Sequence, residues 1–308
     1  MKKQIAVILG PTATGKSHCG IALAQALDGE IISGDSMLVY RGMDIGTAKP
    51  TAEELALVPH HMVDILPPEV SFNVVDFKER AERLIDEITA RGKLPIIVGG
   101  TGLYIKALLE DYKFSSKGED SVLRAELERL LAEQGKEELY ARLEKSAPAE
   151  AGKIDINNTR RVIRAIEAAE SGDDLSHSKS EELVYDAAVF GLRMERSVLY
   201  ERINRRVDIM LEQGLIEETR RLLEEGVPEM AQSMQAIGYR QTVLYLKGEW
   251  DKATAVDKIK QATRNFAKRQ FTWYKKMPYV KWFNLDAEPN YENVTAEMIK
   301  TVVEKFRQ

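Results

Sequence analysis

Residues 10 to 17 read Gly10-Pro11-Thr12-Ala13-Thr14-Gly15-Lys16-Ser17. This glycine-bounded loop, closed by Lys and Ser, is a pattern that cradles phosphate groups. Glycine lets the backbone curl so that successive N–H groups face an anion. A helix start after the loop adds its positive dipole end. Lys16 brings charge to the distal phosphate, and the Ser17 hydroxyl is a ligand for a phosphate-bound Mg²⁺. The pattern does not separate a nucleoside triphosphate from a diphosphate ester. A nucleotide hydrolase also needs an apolar strand ending in Asp to hold magnesium. Ile31-Ile32-Ser33-Gly34-Asp35 matches that loosely, and Ile96-Ile97-Val98 runs into Gly99-Gly100-Thr101 with no acid.

Asp35 and Thr101 each follow an apolar run. At the carboxyl end of a strand in an open α/β sheet, either would border the ligand crevice. Asp35 there is a magnesium ligand, a general base or simply a turn residue. The Thr101 hydroxyl either reaches a phosphate or metal, or caps the next helix. His60 and His61 stand beside Asp64, but no third His or Cys lies at ligand spacing, so a structural role is expected of them.

Net charge is −5, yet Lys258 to Lys281 carries eight basic residues and no acidic one, which leaves 36 basic against 49 acidic residues elsewhere. Further clusters are Arg160, Arg161 and Arg164, and Arg202, Arg205 and Arg206. Spacing puts Arg161 and Arg164 on one helix face, with Arg160 expected to point elsewhere. Together these clusters point to an anionic partner. The basic stretch also carries Phe266, Phe271, Trp273, Tyr274, Tyr279 and Trp282, which either stack unpaired bases or face a core.

These residues need elements to position them. Ile5–Leu9, Glu30–Ser33, Leu94–Val98 and Asp186–Leu192 read as buried strands, and residues 17–27 as a helix. Ser71 is the expected N-cap of a helix running to about Arg91, with Val74, Phe77, Ala81, Leu84, Ile85 and Ile88 as its apolar stripe and Gly92 just past its end. Residues 43–68 read as a loop with short elements. Further helices are expected at 197–213, 215–225, 230–246, 251–276 and 295–306, and a last edge strand at 283–285. The alternation argues for an α/β fold with a parallel sheet.

Polar junctions near Phe114–Glu119 and Ser171–Ser180 bracket a charged helical stretch. The expected organisation is therefore an α/β core of residues 1–113 and 183–308, with a helical insertion at 114–182. At 308 residues with 44% hydrophobic and 30% charged residues, the chain is not collagen-like or wholly disordered. A single cysteine excludes an internal disulfide and suits a reducing compartment. No signal peptide or membrane span is expected, so the cytoplasm is the expected location. A monomer is the default expectation.

Taken together, the chain resembles the tRNA dimethylallyltransferase (isopentenyltransferase) family, in its bacterial form. The resemblance rests on the loop at 10–17, on Gly-Asp-Ser-Met-Leu-Val-Tyr-Arg-Gly-Met-Asp-Ile-Gly-Thr-Ala-Lys-Pro at 34–50, and on Gly-Gly-Thr-Gly-Leu-Tyr at 99–104. It continues in Asn-Thr-Arg-Arg-Val-Ile-Arg-Ala-Ile-Glu at 158–167, Gln-Ala-Ile-Gly-Tyr-Arg-Gln at 235–241 and Thr-Arg-Asn-Phe-Ala-Lys-Arg-Gln-Phe-Thr-Trp at 263–273.

The resemblance implies a P-loop NTPase-like parallel sheet flanked by helices, with the insertion closing over an anticodon stem-loop. It implies transfer of a dimethylallyl group from dimethylallyl diphosphate to N6 of adenosine 37 of tRNA, releasing diphosphate with Mg²⁺ assisting. The loop Gly10, Pro11, Thr12, Ala13, Thr14, Gly15, Lys16 and Ser17 would then hold the donor's diphosphate rather than ATP. Asp35 matches the general base, Thr101 a residue at the reaction centre and Arg206 an arginine on the diphosphate. tRNA contacts would come from Asp35, Ser36, Met37, Leu38 and Thr101, from Arg124, Arg160, Arg161 and Arg164, and from Arg264, Lys268 and Arg269. Leu38 departs from the family's usual Gln and cannot hydrogen-bond a base edge. The chain also ends at Gln308, without the zinc-finger extension of eukaryotic relatives.

Two rival readings explain the loop. A phosphotransferase acting on a small nucleotide accounts for residues 10–17 but not for the basic stretch or the insertion. An RNA-binding module with a vestigial nucleotide site leaves the intact Lys16 and Ser17 without a purpose.

Overall fold

The computed structural model describes residues 2–112, 121–171 and 182–307. The first strand, β1 (Gln4–Leu9), is buried from Ile5 onward. An apolar run without alternation suits a strand covered on both faces. Helix α1 (Lys16–Ala26) follows the glycine-rich loop, then β2 (Gly29–Ser33), α2 (Ala52–Leu57), β3 (His60–His61), α3 (Val74–Ala90), β4 (Leu94–Gly99) and α4 (Gly102–Leu109). The helical segment holds α5 (Ser121–Ser146), α6 (Pro148–Ala151) and α7 (Thr159–Ser171). The chain then returns through β5 (Asp186–Met194), α8 (Arg196–Glu212), α9 (Leu215–Glu224), a 3₁₀ turn at Ser233–Gln235, α10 (Tyr239–Leu246), α11 (Lys252–Tyr274), β6 (Lys281–Leu285) and α12 (Tyr291–Phe306).

All six strands form one parallel sheet in the order β3-β2-β4-β1-β5-β6. Successive side chains of a strand face opposite ways. Ile5, Val7 and Leu9 accordingly join Ile32, Ile97 and Val189 in one core with Phe77, Ile85 and Leu108 of α3 and α4. Ala6 and Ile8 join Ile96, Val98 and Phe190 in a second core with Leu23 of α1 and Met298 and Val302 of α12. The sheet is thus an α/β layer with helices on both faces.

Register brings the strand ends together. Leu9 stands opposite both Gly99 and Gly191, and Ser33 opposite Val98. The loops that follow β1, β2 and β4 therefore leave the same edge of the sheet side by side, at the edge where open α/β sheets bind ligands.

The chain divides into two compact units, Met1–Asp111 with Glu181–Gln308, and Tyr112–Ser180. The junctions expected at 114–119 and 171–180 lie almost wholly outside the described residues. Within the smaller unit, Leu127, Leu139, Leu143, Val162 and Ile166 form a core of their own. α5 is interrupted at Gly135, and Arg124 forms a bidentate pair with Glu167 at 2.8 and 2.7 Å. Arg160, Arg161 and Arg164 are all exposed on α7. Arg160 is four residues from Arg164, so the two share a face, contrary to the expectation that Arg160 points elsewhere.

Two helices depart from expectation. The N-cap of α3 is Asn73, not Ser71: its side chain accepts from the N–H groups of Val75 and Asp76, and Asp76 bonds back to the Asn73 N–H. That reciprocal arrangement satisfies orphan donors at the helix start. The continuous helix expected at 230–246 is broken, because Gly238 takes φ 101° and α10 begins only at Tyr239. The two-residue strand β3 lies in the region expected to be a loop with short elements. His61 there bonds Glu30 at 2.7 Å, and the His60 ring nitrogen lies 2.8 Å from the Val58 carbonyl. No cluster of three or more His, Cys, Asp or Glu side chains able to hold a metal occurs among the described residues.

Candidate active site

The loop between β1 and α1 curls as its sequence requires. Gly15 sits at φ 83° just before α1, and Ala13 takes φ 66°. Lys16 folds back over the loop, with its Nζ donating to the Pro11 carbonyl at 2.8 Å. The buried Thr14 hydroxyl donates to the same carbonyl at 2.8 Å. Ser17 is exposed at the start of α1.

Burial pushes the Lys16 pKa down to about 8, Arg206 of α8 adds to the fall, and Asp35 opposes it. Arg206 is itself pulled below its ordinary value by burial, against the attraction of Asp35 and Glu54. Two cations therefore crowd one site, and Asp35 is the carboxylate that acts on both. An anion placed there would offset both positive charges.

Asp35 follows β2, half-buried. Its Oδ1 accepts from the Met37 N–H at 2.9 Å, so it also serves the turn. Thr101 stands at the N-cap position of α4 but makes no side-chain cap bond. Instead its Oγ1 accepts from the Ser36 N–H at 3.2 Å. The Thr101 N–H donates to the Gly34 carbonyl at 3.2 Å. The loops carrying Asp35 and Thr101 are thus one hydrogen-bonded unit.

A third element locks these loops to the glycine-rich one. On α11, Gln270 accepts from the Thr12 N–H at 3.0 Å and donates to the Gly100 carbonyl at 2.8 Å. One turn on, the Tyr274 hydroxyl lies 2.6 Å from the Gly100 carbonyl and 3.3 Å from that of Gly10. Burial and the Asp35 charge both hold the Tyr274 phenol well above its ordinary pKa, so it remains a donor. Neither residue was singled out for this role in the sequence. The signal available was a Gln and a Tyr four apart in the buried stripe of an otherwise basic helix.

The outer face of α11 differs. Lys268, Arg269, Lys275 and Lys276 are exposed, as is Trp273 at 40%. Arg264 donates to Asn204 Oδ1 at 2.6 Å. Of the aromatics, Phe271 packs edge-on to Trp282 at 5.6 Å, and Tyr279 bonds Glu110. Trp273 is the large apolar ring this helix leaves open to solvent. The segment behind Asp35 is anchored by Glu218 of α9. Its buried carboxylate accepts from the N–H groups of Asp44, Ile45 and Gly46 and from the Tyr239 hydroxyl, at 2.6–3.1 Å.

Comparison with known proteins is consistent along the chain. The IPP transferase family model matches residues 38–277. A tRNA dimethylallyltransferase of Exiguobacterium is 47% identical over 99% of both chains. The chain belongs to the tRNA dimethylallyltransferase (IPP transferase) family. The full-length tRNA isopentenylpyrophosphate transferase of Bacillus halodurans superposes with a TM-score of 0.74 at 44% identity, covering 99% of both chains. A eukaryotic dimethylallyltransferase captured acting on tRNA superposes with a TM-score of 0.76 at 27% identity, covering 98% of this chain and 78% of its own. As a member of this family the chain is a transferase. No helix among its described residues is long and apolar enough to cross a membrane.

Proposed function

We propose that the protein transfers a dimethylallyl group from dimethylallyl diphosphate to N6 of adenosine 37 in tRNA, releasing diphosphate. The observation that carries this reading is the adjacency of a cation-lined loop and a carboxylate. Lys16 and Arg206 form an anion pocket, and Asp35 lies close enough to perturb both.

The bond that breaks joins the allylic carbon to the diphosphate oxygen. The bond that forms joins that carbon to the adenine N6. Negative charge grows on the leaving diphosphate, where Lys16, Arg206 and the loop N–H groups stabilise it. An exocyclic aromatic amine is a weak nucleophile, and the proton it sheds passes to Asp35. Thr101 holds the Asp35 loop through Ser36 and presents its hydroxyl to the same space. The target base must leave its stack to reach the crevice, which suits an unpaired anticodon-loop base.

Mg²⁺ belongs to this reading. The exposed Ser17 hydroxyl, a hard oxygen donor beside the anion pocket, would hold it together with diphosphate oxygens. When bound, the ion supplies further neutralisation of the leaving group. The exposed cations Lys268 and Arg269 of α11, with Arg264, serve the RNA backbone in the larger unit. In the smaller unit the exposed Arg160, Arg161 and Arg164 do so, with Arg124 bonded to Glu167. We read that unit as the part that closes on the anticodon stem-loop, and the protein as a cytoplasmic monomer.

The test is Asp35→Ala in a transfer assay with unmodified tRNA. Transfer is expected to vanish while tRNA affinity stays within a few-fold. Undiminished transfer would remove Asp35 as the base, and nucleoside phosphorylation without prenyl transfer by the intact protein would favour the phosphotransferase reading.

A further inference from the structure

We propose that Arg202 and Tyr291 form a brace on the outer side of the glycine-rich loop, and that they are positioning residues for diphosphate binding. The inference rests on the reading of that loop as the donor's anion site.

Arg202 of α8 lies one turn before Arg206. Its Nε donates to the Ala13 carbonyl at 3.0 Å, and its Nη2 donates to the Tyr291 hydroxyl at 3.0 Å. The Tyr291 hydroxyl in turn donates to the Thr14 carbonyl at 3.3 Å. The Tyr291 ring lies against Gly15 so closely that a Cβ there would come within 2.4 Å of it. Two distant elements, α8 and the first residue of α12, thus grip two successive carbonyls of the loop.

The consequence follows from the planar trans peptide, in which C=O and N–H point opposite ways. Holding the Ala13 and Thr14 carbonyls outward turns the N–H groups of Thr14 and Gly15 toward the inner, concave side. Neither N–H has a hydrogen-bond partner among the described residues, although Thr14 is fully buried. A buried donor is ordinarily satisfied, so the Thr14 N–H is poised for an anion, with the half-buried Gly15 N–H open beside it. Ala13 takes a left-handed backbone that a residue with a Cβ seldom adopts, and it is the carbonyl of this residue that Arg202 holds. The brace therefore stabilises the curl before any ligand arrives. One face of α8 divides the work, with Arg202 on the loop's carbonyls and Arg206 among the cations of the pocket.

The experiment measures binding of inorganic pyrophosphate by calorimetry to the full chain and to Tyr291→Phe, Arg202→Gln, Arg202→Lys and the Tyr291→Phe/Arg202→Gln double variant. Thermal unfolding and tRNA affinity are recorded beside it. Loss of one such charge-assisted bond corresponds to about a tenfold rise in Kd for Arg202→Gln, with a smaller rise for Tyr291→Phe. Because the two residues are bonded to each other as well as to separate carbonyls, the double variant should weaken binding by less than the product of the two single effects. In prenyl transfer the loss should appear in the KM for dimethylallyl diphosphate, with kcat at saturating donor and tRNA affinity nearly unchanged. A purely structural role would lower the unfolding temperature of folded variants without moving the pyrophosphate Kd, and that result would overturn the brace. So would unchanged Kd in both single variants, or no pyrophosphate binding by the intact protein. If the variants weaken pyrophosphate binding but the intact protein transfers no prenyl group, the brace stands and the transferase reading fails.

Discussion

The backbone N–H of Ser36 donates to the Oγ1 of Thr101 across 3.2 Å, joining the loop after β2 to the loop after β4. That bond places Asp35 relative to the anion pocket through the backbone of its neighbour. Thr101→Val keeps the shape and removes the acceptor. A shift of about 1 Å in a reacting group can cost about a hundredfold, so Thr101→Val should lower kcat by about ten- to a hundredfold, while Thr101→Ser should retain most activity. Single-turnover rates at saturating tRNA and donor check this.

The depressed Lys16 pKa of about 8 carries a pH dependence. Below that value Lys16 is charged and attracts diphosphate; above it the free protein holds a neutral amine. Pyrophosphate affinity should therefore fall as pH rises through about 8, approaching tenfold per pH unit where binding requires the proton. In Lys16→Met the affinity should be weak throughout and the dependence flat. Calorimetry between pH 6.5 and 9.5 tests the sign.

Tyr239 completes the set of donors around the buried Glu218 carboxylate. Tyr239→Phe leaves that carboxylate one donor short inside the core. A hydrogen bond to a charged group is worth about 1.5–3 kcal/mol, and urea unfolding should show a loss in that range. Because Glu218 anchors residues 44–46 rather than Asp35 itself, the folded variant should keep its kcat within a few-fold.

Lys268 and Arg269 are exposed on α11 and make no ion pair among the described residues. If each meets an RNA phosphate, replacing either with Ala should reduce the slope of log K against log salt by roughly 0.7–0.9. Titrations of an anticodon stem-loop at several salt concentrations measure this. An unchanged slope would move the RNA to another face.

How much of this could be seen in the sequence depended on how local the cause was. β1 and β4 were legible because a doubly covered parallel strand is a continuous apolar run, and Lys16, Asp35 and Thr101 were legible because each follows such a run. β3 was not, since His60 and His61 form no apolar run and are ordered by pairing with Ile31 and Ile32. The α3 cap fell on Asn73 rather than Ser71 because the helix chose the residue whose box Asp76 could close. Gln270 and Tyr291 were invisible as site residues, and Tyr274 as a residue holding the loop, because their loop partners lie 170 to 277 residues away. No local pattern reports a contact of that kind.

One assay tests prenyl transfer at this site most directly. The protein is incubated with radiolabelled dimethylallyl diphosphate, Mg²⁺ and unmodified tRNA, and acid-precipitable label is counted for the intact chain and for Lys16→Ala. The account predicts label on tRNA from the intact chain and a loss of about a hundredfold or more in Lys16→Ala, the scale on which removal of one preorganised charge contact acts. No label from folded, intact protein, or equal label from Lys16→Ala, would contradict it.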